Sequence, residues 1–343
     1  MRFPVSLASS VPLYLAPMAG VSESPFRRLC RRFGADVVIT EFLSAEGIRR
    51  ENEATLSKLR FGAEEHPIGV QIFGSDPIAM GDAAALVTDV FAPDFIDINF
   101  GCPVKKVVKH NGGSGCLKDL TLVADIIRGV RARTHLPVTA KIRSGWSEEM
   151  RDPVGIARVC EDAGAQVIAL HARSRTQMYS GRANWDEIAA VVERVRVPVL
   201  GNGDITNASD VVRMHEHTKC AGVMVGRGSF GQPWIFDQAR ALLDGKPMPA
   251  APSVPDRFAI ALDHARMADA YEADQRGAAI EFRKHLGWYV KGLPGSADLR
   301  KRLHAVTSLM EVEGIFADYL ATAARGDFAE RAPETQEEET LAA

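Results

Sequence analysis

The feature that most restricts the fold of this chain is a repeated alternation between short apolar, β-branched segments and longer stretches of helical period. Parallel strands need a crossover connection, usually a helix, so this alternation favours a parallel sheet. Eight such repeats over about 240 residues predict an α/β fold of the (β/α)8 TIM-barrel type rather than a doubly wound sheet. The eight predicted strands are residues 13–17, 36–42, 68–73, 94–99, 138–143, 166–171, 197–202 and 221–226.

The pattern changes after residue 244, and this change marks the predicted domain boundaries. The segment GKPMPAAPSVPD at 245–256 is rich in proline, which is typical of a linker. Residues 257–322 keep a helical period without strands, so they predict a smaller all-helical C-terminal domain. The tail at 323–343 is acidic and poor in apolar residues, a composition typical of disorder. The barrel is therefore expected to span residues 1–244.

Composition and charge exclude several classes of protein. The net charge of the 343 residues is −3, so any contact with nucleic acid has to come from a local basic patch. The five cysteines are odd in number and form no C-x-x-C pair, which predicts reduced thiols in a cytoplasmic protein without disulfides or a metal site. Proline and serine interrupt the N-terminal apolar stretch, and no run of 18 apolar residues follows. We therefore expect no membrane association.

The candidate functional residues collect where the predicted strands end. In a TIM barrel these ends meet at one face, where the βα loops build the site. Singly, each of these residues has an ordinary structural explanation, such as core filling or a tight turn. Their shared position favours a common site. In strand order they are Pro17, Met18 and Ala19; Glu41; Gln71; the run from Asn99 to Cys102; Lys141; His171 and Arg173; Asn202, Gly203 and Asp204; and Gly226 with Arg227.

The loops after the last two predicted strands, GNGDI and GRGSFGQPW, are rich in glycine and lead into helices. Main-chain N–H groups of such loops, together with a helix dipole, bind anions. In TIM barrels this region frequently holds a phosphate. The pattern predicts a cofactor that is anchored by its phosphate group.

Seven motifs along the barrel resemble those of the flavin-dependent tRNA-dihydrouridine synthases, in particular a bacterial branch of that family. They are LAPMAGVSESPFR, VQIFGSDP, DINFGCPVKKVVKHNGGSG, AKIRSGW, HARSRTQMYSGRANW, GNGDI and GRGSFGQPWIF. The segment RKHLGWYVKGLPG extends the resemblance to about residues 11–320. GNGD alone is weak, whereas N-x-G-C-P followed by two lysines and G-G-S-G is specific. Cys116 and Phe100 depart from the family pattern.

The resemblance implies a TIM-barrel enzyme that binds FMN and takes its reducing equivalents from NADPH or NADH. It implies tRNA as the partner, with no protein partner, and we expect a monomer. A cation such as Lys141 stabilises the negative charge of a reduced flavin, which agrees with this assignment. The FMN contacts that the resemblance implies are Pro17, Met18, Ala19, Gln71, Lys141, His171, Asn202, Gly203, Asp204, Gly226 and Arg227.

The implied reaction reduces the C5=C6 bond of specific tRNA uridines to 5,6-dihydrouridine, with hydride added at C6 and a proton at C5. Cys102 is the expected general acid, which requires a protonated thiol. Asn99 and Arg173 are expected to hold the uracil. Lys105 and Lys106 are placed on RNA phosphates, because lysines crowding the sulfur would favour the thiolate. The alternative for Cys102 is a small buried hydrophobic residue.

A basic block in the C-terminal domain is the second predicted RNA contact. Residues 276–304 hold seven lysines and arginines and two acidic residues, with Trp288 and Tyr289 among them. Arg283, Lys284 and Arg300 are expected to bind tRNA phosphates, although a solvated helix face has the same composition. Two other functions stay open at this point. A flavoenzyme for free pyrimidines would not need the basic domain, and a non-catalytic RNA-binding protein would not need Cys102.

Overall fold

The computed structural model describes residues 11–109, 111–272 and 274–326; for Lys106 and Gln275 it describes the backbone alone. Most of the tail expected at 323–343 therefore lies outside the described residues. Within them the chain forms two compact units. The first contains residues 11–229 and 234–249, and the second contains residues 230–233 and 250–326.

The first unit is a closed barrel of eight parallel strands, which confirms the predicted fold. Each barrel strand pairs with its neighbours in chain order, and β9 pairs back onto β1. A ninth strand of two residues, β3, pairs outside the barrel with the end of β4. The strands are β1 Leu13–Leu15, β2 Val37–Ile39, β3 Leu43–Ser44, β4 Ile68–Phe73, β5 Phe95–Phe100, β6 Val138–Arg143, β7 Val167–His171, β8 Val199–Asn202 and β9 Gly222–Val225.

Helices connect the barrel strands, as the alternating pattern requires. Several start at a side-chain cap: Asp76 accepts from the N–H of Ile78 ahead of Pro77, and Asn207 and Asp210 form a capping box. The helices of this unit are α1 Ser24–Arg32, α2 Ala45–Arg49, α3 Glu53–Leu56, α4 Pro77–Phe91, α5 Lys105–Val108, α6 Leu120–Arg131, α7 Pro153–Asp162, α8 Trp185–Val192, α9 Ala208–Thr218 and α10 Ile235–Leu243. Short 3₁₀ turns cover Ser57–Leu59, Ala63–Glu65, Gly113–Lys118 and Arg227–Ser229.

The second strand is shorter than the sequence predicts, and a side chain accounts for the difference. The prediction covered residues 36–42, but β2 ends at Ile39. The hydroxyl of Thr40 accepts the main-chain N–H of Gln71 at 3.1 Å. Because a side chain takes this donor from β4, the main-chain ladder between the two strands stops there.

The barrel interior changes from apolar to polar along its axis. Side chains alternate between the two faces of each strand, so every second residue points inward. An apolar cluster, which includes Tyr14, Phe95, Val167, Leu200 and Met224, fills the interior. Toward the C-terminal ends of the strands the residues are polar, and these form the floor of the candidate site.

The second unit contains four helices around its own apolar core. Phe258 stacks on Phe316 with ring centroids 4.0 Å apart, and the edge of Tyr319 packs against Phe258. No helix among the described residues is long and apolar enough to cross a membrane. The helices are α11 Val254–Tyr271, α12 Gln275–Tyr289, α13 Ser296–Leu303 and α14 Leu309–Arg325. Helix α11 thus begins inside the segment that the sequence suggested as a linker, and the domain assignment stays a prediction.

Candidate active site

The barrel brings the predicted site residues of the first unit to one face. Gln71, Asn99 and Lys141 lie within β4, β5 and β6, while His171 and Asn202 are the last residues of β7 and β8. The remaining ones follow the strands, in loops or at the start of the next short helix: Pro17, Met18, Ala19, Cys102, Arg173, Gly203, Asp204 and Gly226 lie in loops, Lys105 is the first residue of α5, and Arg227 begins a 3₁₀ turn. All of them therefore stand at the end of the barrel where enzymes of this fold carry their chemistry.

The loop that carries Cys102 is fixed by hydrogen bonds on both sides of its main chain. Asn99 Oδ1 accepts from the N–H groups of Gly101 and Cys102 at 3.0 and 2.8 Å. Three successive carbonyl oxygens are taken by donors from other loops. Arg143 Nε donates to Gly101 at 2.9 Å, Ser114 donates to Cys102 from Oγ at 2.7 Å and from its main-chain N at 3.1 Å, and Arg175 donates to Pro103 at 3.4 Å.

Glycine at position 113 is required by this packing. Its φ is +56°, and a Cβ there would lie 3.0 Å from the carbonyl oxygen of Cys102 and 3.1 Å from its Cβ. The left-handed conformation and the short distances both favour a residue without a side chain. The glycine-rich segment after Cys102 thus serves close packing against the thiol loop.

Asn99 is the end of a chain of hydrogen bonds that begins inside the barrel. The Asn99 Nδ2 donates to Gln71 Oε1 at 2.7 Å, and Gln71 Nε2 donates to Asp97 Oδ2 at 2.6 Å. The other oxygen of Asp97 accepts from the hydroxyl of Thr139. All four side chains are buried or nearly so. Both amides therefore have a fixed orientation.

The Cys102 sulfur lies in surroundings that keep it protonated. Burial raises the pKa of this thiol. A hydrogen bond from the main-chain N–H of Val104 and the positive charges of Arg143 and Lys141 only partly oppose that effect. The side chain is 6% exposed. A thiol with a raised pKa is a poor nucleophile at neutral pH, and it carries the proton that a general acid needs.

Lys141 is the cation of the site floor. Its Nζ donates to Asn202 Oδ1 at 3.2 Å, and the Asn202 amide in turn donates to the carbonyl of Met224 at 2.8 Å. Burial and the nearby Arg143 guanidinium lower the pKa of Lys141 to about 8. An anionic group beside this amine would favour its charged form.

His171 and Arg173 follow β7, and their partners differ. Burial, together with the positive charges of Arg143, Lys141 and other nearby cations, lowers the pKa of His171 well below its ordinary value, so its imidazole is neutral. Arg173 forms a salt bridge of 2.7 Å with Asp204 and donates to the carbonyls of Ser180 and Gly181. Asp204 also accepts from the N–H of Ala183 at 2.7 Å. Arg173 thus ties two loops together, and its contact with uracil stays a prediction.

The two glycine-rich loops pack main chain against main chain. A Cβ on Gly228 would lie 2.2 Å from the carbonyl oxygen of Ile205, and one on Gly203, whose φ is +118°, would lie 3.0 Å from the His171 ring. Arg227 extends over the Tyr179 ring, with its guanidinium carbon 4.4 Å from the centroid. Close packing therefore requires glycine at both positions, and the Arg227 cation lies in the second of these loops; glycine-rich main chain beside a cation fits a phosphate-bearing cofactor.

Several residues of the site were not found from the sequence. Arg143 and Arg175 reach the Cys102 loop from about 40 and 70 residues away along the chain. Burial lowers the pKa of Arg143 to about 10, and the guanidinium also donates to the carbonyls of Ser174 and Met178. Their place next to the strand ends in AKIRSGW and HARSRTQMYSG was the available signal.

The same face carries an aromatic ring with two cations. Lys118 Nζ lies 3.9 Å and the Arg175 guanidinium carbon 4.6 Å from the centroid of the Trp146 ring. These three residues come from the loops after β5, β6 and β7. Among the described residues no carboxylate pairs with Lys118 or Arg175. The positive charge of this cluster is therefore available to an anion.

The side chains predicted to contact RNA differ in whether they already form hydrogen bonds or ion pairs within the protein. Lys105 is exposed in α5, and the side chain of Lys106 lies outside the description. In the second unit, Arg283 donates to the carbonyls of Val306 and Ala305, with distances of 2.6 to 3.3 Å. Lys284 and Arg300 have no acidic partner among the described residues of that unit. Arg283 thus has a structural role that the sequence did not reveal.

The chain is similar to known proteins over most of its length. The family profile described as Dihydrouridine synthase (Dus) matches residues 14–325. The tRNA-dihydrouridine synthase B of Pseudomonas aeruginosa is 39% identical over 293 residues, which are 85% of this chain and 87% of that protein. A probable tRNA-dihydrouridine synthase of Rickettsia bellii is 36% identical over 316 residues, 92% of this chain and 96% of that protein.

A solved structure resembles the fold alone. Histamine dehydrogenase from Rhizobium sp. 4-9 superposes with a TM-score of 0.50 at 12% identity, covering 78% of this chain and 50% of that one. The sequence relatives identify the family. The family profile extends over both units, and the sequence identities exceed a third over most of each protein. On these grounds the chain belongs to the dihydrouridine synthase family.

Proposed function

We propose that this protein reduces the C5=C6 bond of specific uridines in tRNA to 5,6-dihydrouridine, with Cys102 as the proton donor to C5. The observation that carries the proposal is the buried Cys102 thiol at the strand-end face of the barrel, in a loop held by main-chain hydrogen bonds. Burial also raises the pKa of this thiol, which favours the protonated form. The names of the relatives support the substrate. The cytoplasm is the compartment in which we expect the enzyme to work.

The residues of the site fit FMN as the cofactor. The glycine-rich loops that contain Gly203 and Gly228, with Arg227 in the second of them, suit a phosphate group. Lys141 supplies positive charge where a reduced isoalloxazine is negative. When bound, FMN supplies hydride transfer, from NADPH or NADH and on to C6 of the uracil. Further expected contacts are Pro17, Met18, Ala19, Gln71, His171, Asn202, Asp204 and Gly226.

In the proposed reaction, a side chain of the protein supplies the proton for C5. After hydride has reached C6, negative charge spreads from C5 to the C4 carbonyl, and C5 needs a proton. The Cys102 S–H donates it and becomes a thiolate, which the nearby charges of Arg143 and Lys141 stabilise. Asn99, which carries a second amide hydrogen beyond the one given to Gln71, is the proposed partner for a uracil oxygen.

Purified protein is expected to be yellow and to release FMN on denaturation. The close packing at Gly203 and Gly228 holds the main chain of both loops, so binding requires little reorganisation there. Absorbance near the flavin bands and chromatography of the released cofactor provide the measurement. A colourless protein that gains no flavin spectrum when FMN is added would contradict the cofactor assignment.

Lys141→Met should weaken FMN binding by about 10- to 100-fold, the range for losing a hydrogen bond to a charged group. Methionine keeps most of the side-chain length, so the floor of the site stays filled. The exposed Lys219, at the turn between α9 and β9 on the opposite end of the barrel, gives the matched control Lys219→Met. Titration of flavin fluorescence measures the affinity. Equal affinity for wild type and Lys141→Met would remove this amine from the cofactor site.

The tRNA is expected to contact two sets of cations, and each set can be tested separately. Lys284→Gln with Arg300→Gln tests the helical unit, and Arg283 is left unchanged because it holds main-chain carbonyls. Lys118→Gln tests the cation cluster around Trp146. Each lost phosphate contact should reduce the slope of log affinity against log salt by about 0.7 to 0.9.

The controls for this experiment are Lys219→Gln and the oxidation of NADPH in the absence of tRNA, and neither should change. If a variant keeps both the affinity and the salt slope of the wild type, its cations do not contact tRNA. A wild-type enzyme that reduces free uridine as efficiently as tRNA would instead favour a flavoenzyme for free pyrimidines.

A further inference from the structure

Asp97 is a buried carboxylate that the proposed reaction does not use. It lies in β5 and is 2% exposed. In the barrel register it faces Gln71 of β4 on one side and Thr139 of β6 on the other, and both side chains donate to it. Burial of a carboxylate is unfavourable unless it is fully hydrogen-bonded. The cost points to a role beyond core filling.

The hydrogen bonds from Asp97 run in one direction. A carboxylate accepts at both oxygens and donates at neither, so the Gln71 amide must present its Nε2 to Asp97. Its Oε1 then points to Asn99, which must present Nδ2. The oxygen of Asn99 is left on the other side, where it accepts from the N–H groups of Gly101 and Cys102. One acceptor thus fixes the orientation of two amides in series.

We propose that Asp97 is a positioning residue for Cys102, acting through a relay of hydrogen bonds from Asp97 to Gln71 and from Gln71 to Asn99. The inference rests on the proposed role of the thiol as proton donor. Asp97 and Asn99 are two residues apart on one strand and therefore point to the same side of the sheet, which places the relay inside the barrel and away from water. A buried amide chain has no solvent to satisfy a reversed orientation.

Loss of the acceptor at position 97 removes this constraint. Gln71 can then rotate its amide, and a reversed Gln71 presents Nε2 to the Nδ2 of Asn99. If Asn99 also rotates, its Nδ2 faces two main-chain N–H groups, and the loop of Cys102 loses the partner that holds it. Either arrangement displaces the thiol. The rate of the proton step should then fall, because catalysis depends on geometry within a fraction of an ångström.

The first experiment compares Asp97→Ala with Asp97→Asn. Asparagine keeps an oxygen for Gln71 and turns its Nδ2 to the Thr139 hydroxyl, which accepts as well as donates. Asp97→Ala should lower kcat for dihydrouridine formation by about 10- to 100-fold, the range seen when an orienting partner is removed, with KM for tRNA unchanged. At saturating FMN, Asp97→Asn should recover most of the rate lost in Asp97→Ala, since it preserves the direction of the relay; saturation is needed because the Asp97 charge also raises the pKa of Lys141.

A second readout does not depend on turnover. Alkylation of Cys102 by iodoacetamide, followed by mass spectrometry of its peptide, reports how the thiol is held. The rate should rise in Asp97→Ala and stay at the wild-type value in Asp97→Asn. Equal kcat and equal alkylation in Asp97→Ala and wild type would overturn the proposal, and so would an Asp97→Asn variant that is as impaired as Asp97→Ala.

The second experiment reverses the direction of the hydrogen bonds in the relay. Its result can be interpreted even if Asp97→Ala does not fold. Asn99→Asp places Gln71 between two carboxylates although it has a donor at one end only, so this variant should melt at a lower temperature than wild type. Adding Asp97→Asn lets residue 97 donate to Gln71 Oε1 while Gln71 Nε2 donates to the new carboxylate at position 99. The double variant should therefore melt at a higher temperature than Asn99→Asp alone.

A double variant whose melting temperature is at or below that expected from the sum of the two single effects would overturn the relay, because independent sites show no such rescue. The melting and alkylation experiments also separate this inference from the proposed function. If the wild type makes no dihydrouridine, the function fails, while rescue of Asn99→Asp by Asp97→Asn still reports whether the relay exists. If the wild type is active and rescue is absent, the relay alone fails.

Discussion

Cys102→Ala is expected to slow dihydrouridine formation by about 10²- to 10⁴-fold, the contribution typical of a general acid. The variant should bind FMN and tRNA like the wild type and should be reduced by NADPH at an unchanged rate, since neither process uses the sulfur. Cys102→Ser should recover little, because an unactivated hydroxyl is a much weaker acid than a thiol. The measurement is single-turnover oxidation of the pre-reduced enzyme by tRNA, followed at the flavin absorbance.

Cys116→Ser is the matched control for this substitution. Cys116 lies in the same loop region and is fully buried, and its thiol donates to the carbonyl of Asn111 at 2.9 Å. Serine keeps that donor, so activity should stay near the wild-type value. Equal single-turnover rates for wild type and Cys102→Ala would exclude the proton-donor role. Loss of flavin from Cys102→Ala would instead mean that the cysteine is a structural residue.

The raised pKa of Cys102 also sets the direction of the pH dependence. The proton donor is the thiol, which is present below its pKa and lost as the pH rises through it. Because burial raises this pKa above the ordinary value of a cysteine, the rate of the proton step should stay level through neutral pH and fall at alkaline pH. A single-turnover rate that increases with pH across the alkaline range would show that the thiolate is the active form.

Glu65→Ala should lower the free energy of unfolding by about 3 to 5 kcal/mol, as expected when one partner of a buried ion pair is removed. Glu65 and Arg27 are 0% and 1% exposed, and Arg27 Nε lies 2.6 Å from Glu65 Oε2. The other oxygen of Glu65 accepts from Ser24 Oγ and from the N–H of Gly62. Without Glu65, the guanidinium stays buried with an uncompensated charge. Urea denaturation measures the change.

The neighbouring pair provides a matched control. Glu64 contacts Arg28, and their side chains are 50% and 31% exposed, so this pair is far more accessible to water than Glu65 and Arg27. Glu64→Ala should therefore cost at most about 1 kcal/mol, as exposed pairs do. A further variant, Arg27→Met with Glu65→Leu, should recover much of the loss, because it removes both buried charges together. Equal losses for Glu65→Ala and Glu64→Ala would show that burial does not decide the strength of these pairs.

This ion pair also bears on the site. Arg27 Nη1 donates to the carbonyl of Ser22 at 2.7 Å, and the Ser22 hydroxyl accepts from the main-chain N–H of Met18 at 2.9 Å. Met18 follows β1 in the loop that we assign to the cofactor. A Glu65→Ala variant that remains folded should accordingly bind FMN more weakly than Glu64→Ala does.

Local rules in the amino-acid sequence were enough to predict the barrel, the face that carries the site and the residues at the strand ends. Strand and helix periods are visible in any ten residues, and parallel strands joined by helices place all their carboxyl ends on one side. The glycines of GNGDI and GRGSFGQPW and the motif around Cys102 were visible for the same reason, because the chemistry of each loop is contained in adjacent residues.

Which side chains meet could be learned from the folded barrel alone. The Cys102 loop is held by Arg143, Ser114 and Arg175, and its amide relay starts at Asp97, whose position in a strand suggested only an interior residue. No sequence pattern indicated that Arg283 caps carbonyls 22 and 23 residues away or that Thr40 ends β2. Such pairings depend on strand register, burial and the distance between loops. These quantities are set only when the barrel closes. A buried donor then pairs with the acceptor that the folded chain brings within hydrogen-bonding distance, because water is no longer available as a partner.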